Sequence, residues 1–321
     1  MQLVAHAWSV EKEVMKSFGK SLSPIDLLVV SIVFYAFVLL PTVLIQWQFP
    51  TQAQPRPAEQ TVVEVNIMAG SSFITNIIQD VADDKVEART LIPPGVCPGH
   101  YDVKPGDIVA LANSKALFIH DYQENFENIT GLIEAAENPA LIIKVIDIMG
   151  NWMTPPVQVE AVDKIAQALG EIDQENAAYY QEKAAERAQA ILAKGEEVKD
   201  RLLEAGVEQV KVICADMQKG FVEWAGFDVV AIYGRPEDLS VAQVEELIVE
   251  AKEAGVALVI DNLQSGATAA SETMAQDIGA IQVTISNFPG GFENTETWEK
   301  TIDKNVDLLL EALNEWREQY G

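Results

Sequence analysis

"VEAVDKIAQALGEIDQENAAYYQEKAAERAQAILAKGEEVKDRLLEA", Val159 to Ala205, contains no strand pattern and no turn dipeptide. Ala, Glu, Lys and Leu recur through it at helical spacing, which predicts one or two long helices. At ~1.5 Å per residue such an element crosses a whole molecule. Heptads are not sustained, so a coiled coil does not account for it. What lies on either side decides how the stretch is read.

On its N-terminal side, strand and helix patterns alternate. "TVVEVNIMA" reads as a strand, "SSFITNIIQDVADD" as a helix with Ser71 as N-cap, and "KVEARTLI" as a second strand. A loop "PPGVCPGHYDV" follows, then a short helix "KPGDIVALANS", the strand "KALFIHDY", the helix "ENFENITGLIEAAEN" and the strand "ALIIKVI". On the C-terminal side the alternation resumes with "VEQVKVICA", "DVVAIYG", "VALVIDN" and "AIQVTI" as strands. Helices lie between them, marked by Ser240 as an N-cap and by Gly226 and Gly255 as terminators. The expected fold is α/β: two βα lobes with mainly parallel sheets, joined by a long backbone helix. Ligands in such sheets bind at the carboxyl ends of the strands.

The first residues are of another kind. Leu27 to Ile45, "LLVVSIVFYAFVLLPTVLI", carries no charge and is long enough for a transmembrane helix, with Trp47 as an interfacial aromatic. The lysines before it favour an inside N-terminus and an outside body. The stretch "TQAQP" makes a poor cleavage site, so an uncleaved anchor is preferred to a signal peptide. The expected divisions are 1–26, cytoplasmic; 27–47, anchor or signal; 48–60, a Pro/Gln linker; 61–155, N-lobe; 156–205, linking helix; and 206–321, C-lobe. A net charge of −27 excludes nucleic acid as a partner and favours cations. Neither a phosphate loop nor a GxSxG or HExxH motif is present, and with 3 histidines no enzyme is expected.

Several stretches, in this order, resemble the cluster A-I solute-binding proteins, the zinc- and manganese-binding partners of ABC importers. They are "GHYDVKPGDIVALANSKALFIH", the "WMTP…EIDQENAAYYQEKA" stretch, "EELIVEAKEAGVALVIDNLQSG" and "GG…TWEKTIDKNVDLLLEAL". The resemblance covers nearly everything after Thr61. It implies a metal held between the lobes by histidines and carboxylates, with His100 as first ligand and Asp261 as last. At the two middle positions this chain has Gly150, and Ala215 or Asp216.

Cys97, Cys214, His120 and Asp216 are the candidates to complete the set, since zinc takes about four N, S or O donors. Met153 and Met217 near the thiols would shift preference toward copper. Each residue also has a structural reading. Cys97 and Cys214 stand equally as an interlobe disulfide, a metal pair or two free thiols. His120 reads as a structural histidine, Asp261 as a helix cap, and Asn128 of "NIT" fits a glycosylation triplet. The expected function is a membrane-anchored receptor that delivers Zn or Mn (or Cu) to an ABC permease, with no organic cofactor. The alternative is an accessory or scaffold subunit that has lost transport.

Overall fold

The computed structural model describes residues 65–235, 238–266 and 268–320. The apolar run 27–45 and the linker 48–60 lie outside these residues. Among the described residues no helix is long and apolar enough to cross a membrane.

The N-lobe is built from β1 (Val65–Ala69), α1 (Ser72–Ala82), β2 (Val86–Thr90), α2 (Pro105–Ala112), β3 (Ala116–His120), α3 (Glu127–Ala136) and β4 (Ile142–Ile146). Its strands are all parallel, in the order β2-β1-β3-β4. Then come α4 (Pro155–Ile172) and α5 (Ala177–Glu204). The C-lobe repeats the arrangement with β5 (Lys211–Ala215), α6 (Lys219–Ala225), β6 (Asp228–Tyr233), α7 (Val241–Ala254), β7 (Leu258–Asn262), α8 (Ala269–Ile278) and β8 (Ile281–Ile285). Its order is β6-β5-β7-β8, again parallel. The chain closes with α9 (Trp298–Tyr320).

The expected punctuation is where the elements start and stop. Ser71 Oγ accepts from Ile74 N, and Ser240 Oγ from Gln243 N. Each satisfies an amide that the first helical turn leaves without a partner, worth ~1 kcal/mol. Gly226 and Gly255 take left-handed φ of 100° and 74° as C-terminal caps.

The stretch 156–205 forms two helices of the one or two that its pattern allows. Asp173 breaks it, accepting on Oδ2 from Tyr180 Oη at 2.5 Å and from Asn176 Nδ2 at 2.8 Å. The result is a hairpin, with Gly170 meeting Ala177 near the turn and Gly195 meeting Pro155 at the far end. Its second helix, α5, has 28 residues, or ~42 Å. Tyr180, Ala184, Ile191, Val198 and Leu202 form its buried stripe. That stripe joins one continuous core that takes in Phe73 and Phe118 of the N-lobe and Phe221, Ile260 and Trp298 from the C-lobe side.

A run of charges ties the same elements together. Arg187 of α5 pairs with Asp80 of α1 at 2.7 Å and with Glu299 of α9. One and two heptads along α5, Lys194 reaches Asp303 at 2.7 Å, and Arg201 reaches Asp303 at 3.1 Å and Asp307 at 2.5 Å. The seven-residue step on α5 thus faces a four-residue step on α9. Burial pushes the Asp80 carboxyl up, against the pull of Arg187.

Candidate functional site

A cavity of about 390 Å³ opens at the carboxyl ends of both sheets, walled by both lobes. Strand order reverses there, between β1 and β3 in one lobe and between β5 and β7 in the other. Parallel sheets leave a crevice at such switch points.

His120 ends β3 and is 2% exposed. Its Nε2 lies 2.7 Å from Ser71 Oγ, the cap of α1. Its ring stacks on Tyr122 at 5.0 Å and meets the edge of Trp152 at 4.2 Å. Its Nδ1 is buried and has no hydrogen-bond partner among the described residues. Burial lowers its pKa to about 3, so the imidazole stays neutral at physiological pH. The aromatic wall continues across the lobe boundary, with Phe73 at 5.8 Å from both Trp152 and Phe288. Cys97 and Asp121 line the N-lobe side of the same cavity.

The loop that carries Cys97 and His100 is fixed by the motif around it. Tyr101 Oη donates to Asp107 Oδ2 at 2.8 Å, and Lys104 N donates to the same oxygen at 2.9 Å. Burial and that carboxylate push the Tyr101 phenol up to about 12. Asn128 Nδ2 donates to the Pro98 and Tyr101 carbonyls at 2.9 and 3.0 Å. The Asn128 amide is therefore engaged as a loop anchor. His100 itself is exposed, with its Nε2 3.5 Å from Arg235 Nη1.

The other sequence candidates lie elsewhere. Alternation along β7 puts Leu258 and Ile260 in the core shared by the lobes and Val259 in the core under α7 and α8. Asp261 follows Val259: its Oδ2 accepts from Ser271 Oγ of α8 at 2.6 Å and its Oδ1 from Asn262 N at 2.7 Å. Cys214 is fully buried in the shared core, and its thiol is pushed up to about 12 by burial first and Glu223 next. Asp216 is exposed, and its Oδ1 accepts from Met217 N at 2.7 Å. Met153 is buried, while Met217 borders the cavity.

Cys97 and Cys214 are both free, which corrects the disulfide reading: one sits in a loop and the other inside the C-lobe core. Among the described residues no group of three or more His, Cys, Asp or Glu side chains is placed to hold a metal ion. Gly150 contributes to this. It takes φ +107°, and a Cβ there would lie 3.0 Å from Val157 Cγ2. A histidine at this position would be strained in backbone and crowded in side chain.

The C-lobe face of the cavity is made of amides and one cation that the sequence reading did not single out. Asn151 Nδ2 donates to Met217 O and to Asn287 Oδ1, both at 2.9 Å. Gln264 Nε2 donates to Pro94 O of the N-lobe at 2.7 Å and to Ser286 Oγ at 3.0 Å. Gln218 Nε2 donates to Asn262 Oδ1 at 3.1 Å. These amides are linked to one another and, through Gln264 and Pro94, join the lobes, while Gln218 Oε1 is buried with no partner among the described residues. Arg235, just after β6, lines the same cavity, and among the described residues no carboxylate pairs with it. Period-two alternation in "LVIDN" puts Asp261 and Asn262 on opposite faces, and the packing of the two cores turns Asn262 to the cavity.

Residues 67–312 match the family described as "ZnuA: Zinc-uptake complex component A periplasmic". Solved structures share the fold. A nickel complex of the solute-binding protein FpvC from P. aeruginosa superposes with TM-score 0.63 at 18% identity, covering 78% of this chain and 97% of that one. A crystal structure of ZnuA gives TM-score 0.60 at 21% identity, covering 78% and 99%. A manganese-bound periplasmic metal-binding protein from Candidatus Liberibacter asiaticus gives 0.65 at 16%, covering 78% and 100%.

Proposed function

The chain belongs to the ZnuA family, and from that premise we propose that it captures a divalent transition metal outside the cytoplasm for the permease of an ABC importer. The observation that carries this reading is the cavity walled by both lobes at the carboxyl ends of both sheets. Zinc, manganese and nickel are the metals in play: the family is a zinc-uptake component, and similar folds are described with manganese and nickel. On the N-lobe wall the cargo meets Cys97 and Asp121, with His100 at the rim beside Arg235, while His120 lies beneath the rings with its Nε2 on Ser71. Asp261 and Cys214 have structural roles, the first holding α8 and the second filling the core. The apolar run 27–45 anchors the body to the membrane in this reading.

A second reading, an accessory subunit without cargo, is favoured by one observation: no three-donor group is formed among the described residues. Elemental analysis of full-length protein purified without a histidine tag separates the two. The receptor reading expects about one transition-metal ion per chain. Metal-free protein from metal-replete cells would favour the accessory subunit.

A further inference from the structure

We infer that the cavity takes its metal as a complex with a small carboxylate-bearing aromatic chelator, gripped through the organic shell rather than through protein–metal bonds. This rests on the reading of the chain as a metal receptor.

The size of the cavity is the first ground. Metal–donor bonds are ~2.0–2.2 Å, so a bare ion needs converging donors a few ångströms apart. A cavity of about 390 Å³ is instead the size of pockets that enclose small organic molecules. The walls are the second. Phe73, Tyr122, Trp152 and Phe288 present ring faces and edges, which suit a planar aromatic body and do nothing for a hydrated cation.

The charges are the third ground. Arg235 lines the cavity with no carboxylate partner among the described residues, in a chain of net charge −27. A guanidinium there repels a bare divalent ion. A chelating carboxylate spends one oxygen on the metal and leaves the other outward as an acceptor, which a guanidinium matches. Asp121, on the N-lobe wall, is placed to meet residual positive charge on the metal. A wall with one cation and one carboxylate thus suits a complex whose rim is anionic and whose centre is cationic. The amides complete the picture: Asn151 Oδ1 accepts from Met153 N and Gln264 Oε1 from Asn287 N, so these oxygens shape the floor and are already engaged by the protein.

The test is calorimetric titration of the full-length protein in detergent with ZnCl2, with picolinate, and with the two together at one to two. Competition gives the outcomes opposite signs. A bare-ion site loses apparent zinc affinity when picolinate sequesters the metal. A chelate site gains, and the expected gain is at least about tenfold over either component alone. Arg235→Gln should abolish that gain with no change in thermal midpoint, and Arg235→Lys should restore part of it. Zinc alone binding more tightly than the mixture overturns the inference and leaves the metal-receptor reading standing. Picolinate alone binding as tightly as the mixture overturns both, making the cavity an organic-acid site. No binding of the mixture, repeated with pyridine-2,6-dicarboxylate, overturns the inference.

Discussion

His120 shows how a single side chain acquires two faces. One ring nitrogen is tied to Ser71 and the other is sealed beneath aromatic rings. With its folded pKa lowered to about 3 from 6.5, the folded state refuses a proton that the unfolded chain accepts. Its contribution is fully present above pH ~6.5 and is lost as pH falls from there toward about 3. Wild type should therefore lose about 2 kcal/mol more than His120→Gln between pH 7 and pH 5, read from denaturant midpoints. An equal loss in both proteins would mean that the imidazole is not sealed. At this scale the sequence was only partly legible. His100 and Asp261 were singled out by the motifs around them. Which way a side chain points at a strand end depends on register, and register is set by packing that no local pattern states. Asp261 fell on the face of Val259, and Asn262, one residue on, faced the cavity. Arg235 carried no local signal, because its meaning comes from His100 and the cavity across the lobe boundary.

Elements were far more legible, since caps and periodicity are local. Ser71, Ser240, Gly226 and Gly255 all stand where they start or stop a helix. Two helices over this stretch lie within the expectation, but the position of the break at Asp173 has no local signal, because it uses neither Gly nor Pro. It is made by a carboxylate that gathers Tyr180 and Asn176 from the following turn. The resulting hairpin packs so closely at its open end that a Cβ on Gly195 would sit 2.6 Å from Pro155 Cγ. A proline ring has little freedom to withdraw. Gly195→Ala should cost about 1–3 kcal/mol despite removing a glycine from a helix. Gly131→Ala, on the exposed face of α3 with nothing within 4 Å, should instead stabilise by about 0.5–1 kcal/mol. Thermal melts of the two variants should move in opposite directions. If both rise, the helices are not in the contact described.

At the scale of the whole body, α5 stitches both lobes into one core and one charge network. Calorimetry should then show a single transition for residues 62–321, not one for each lobe. Arg187→Ala leaves Asp80 and Glu299 facing each other without their cation, and at 13% side-chain exposure that arginine is mostly sheltered. The variant should lose about 2–3 kcal/mol, moving the transition as a unit. Two resolved peaks would show that the lobes melt apart. The shared core also has a consequence for signalling. A receptor of two lobes on a flexible strap can advertise its cargo by snapping shut. Here the strap is a stiff rod cemented to both halves. On the receptor reading proposed above, news of an occupant would then be written less in the outline than in small print at the doorway, in how Arg235 and His100 hold themselves.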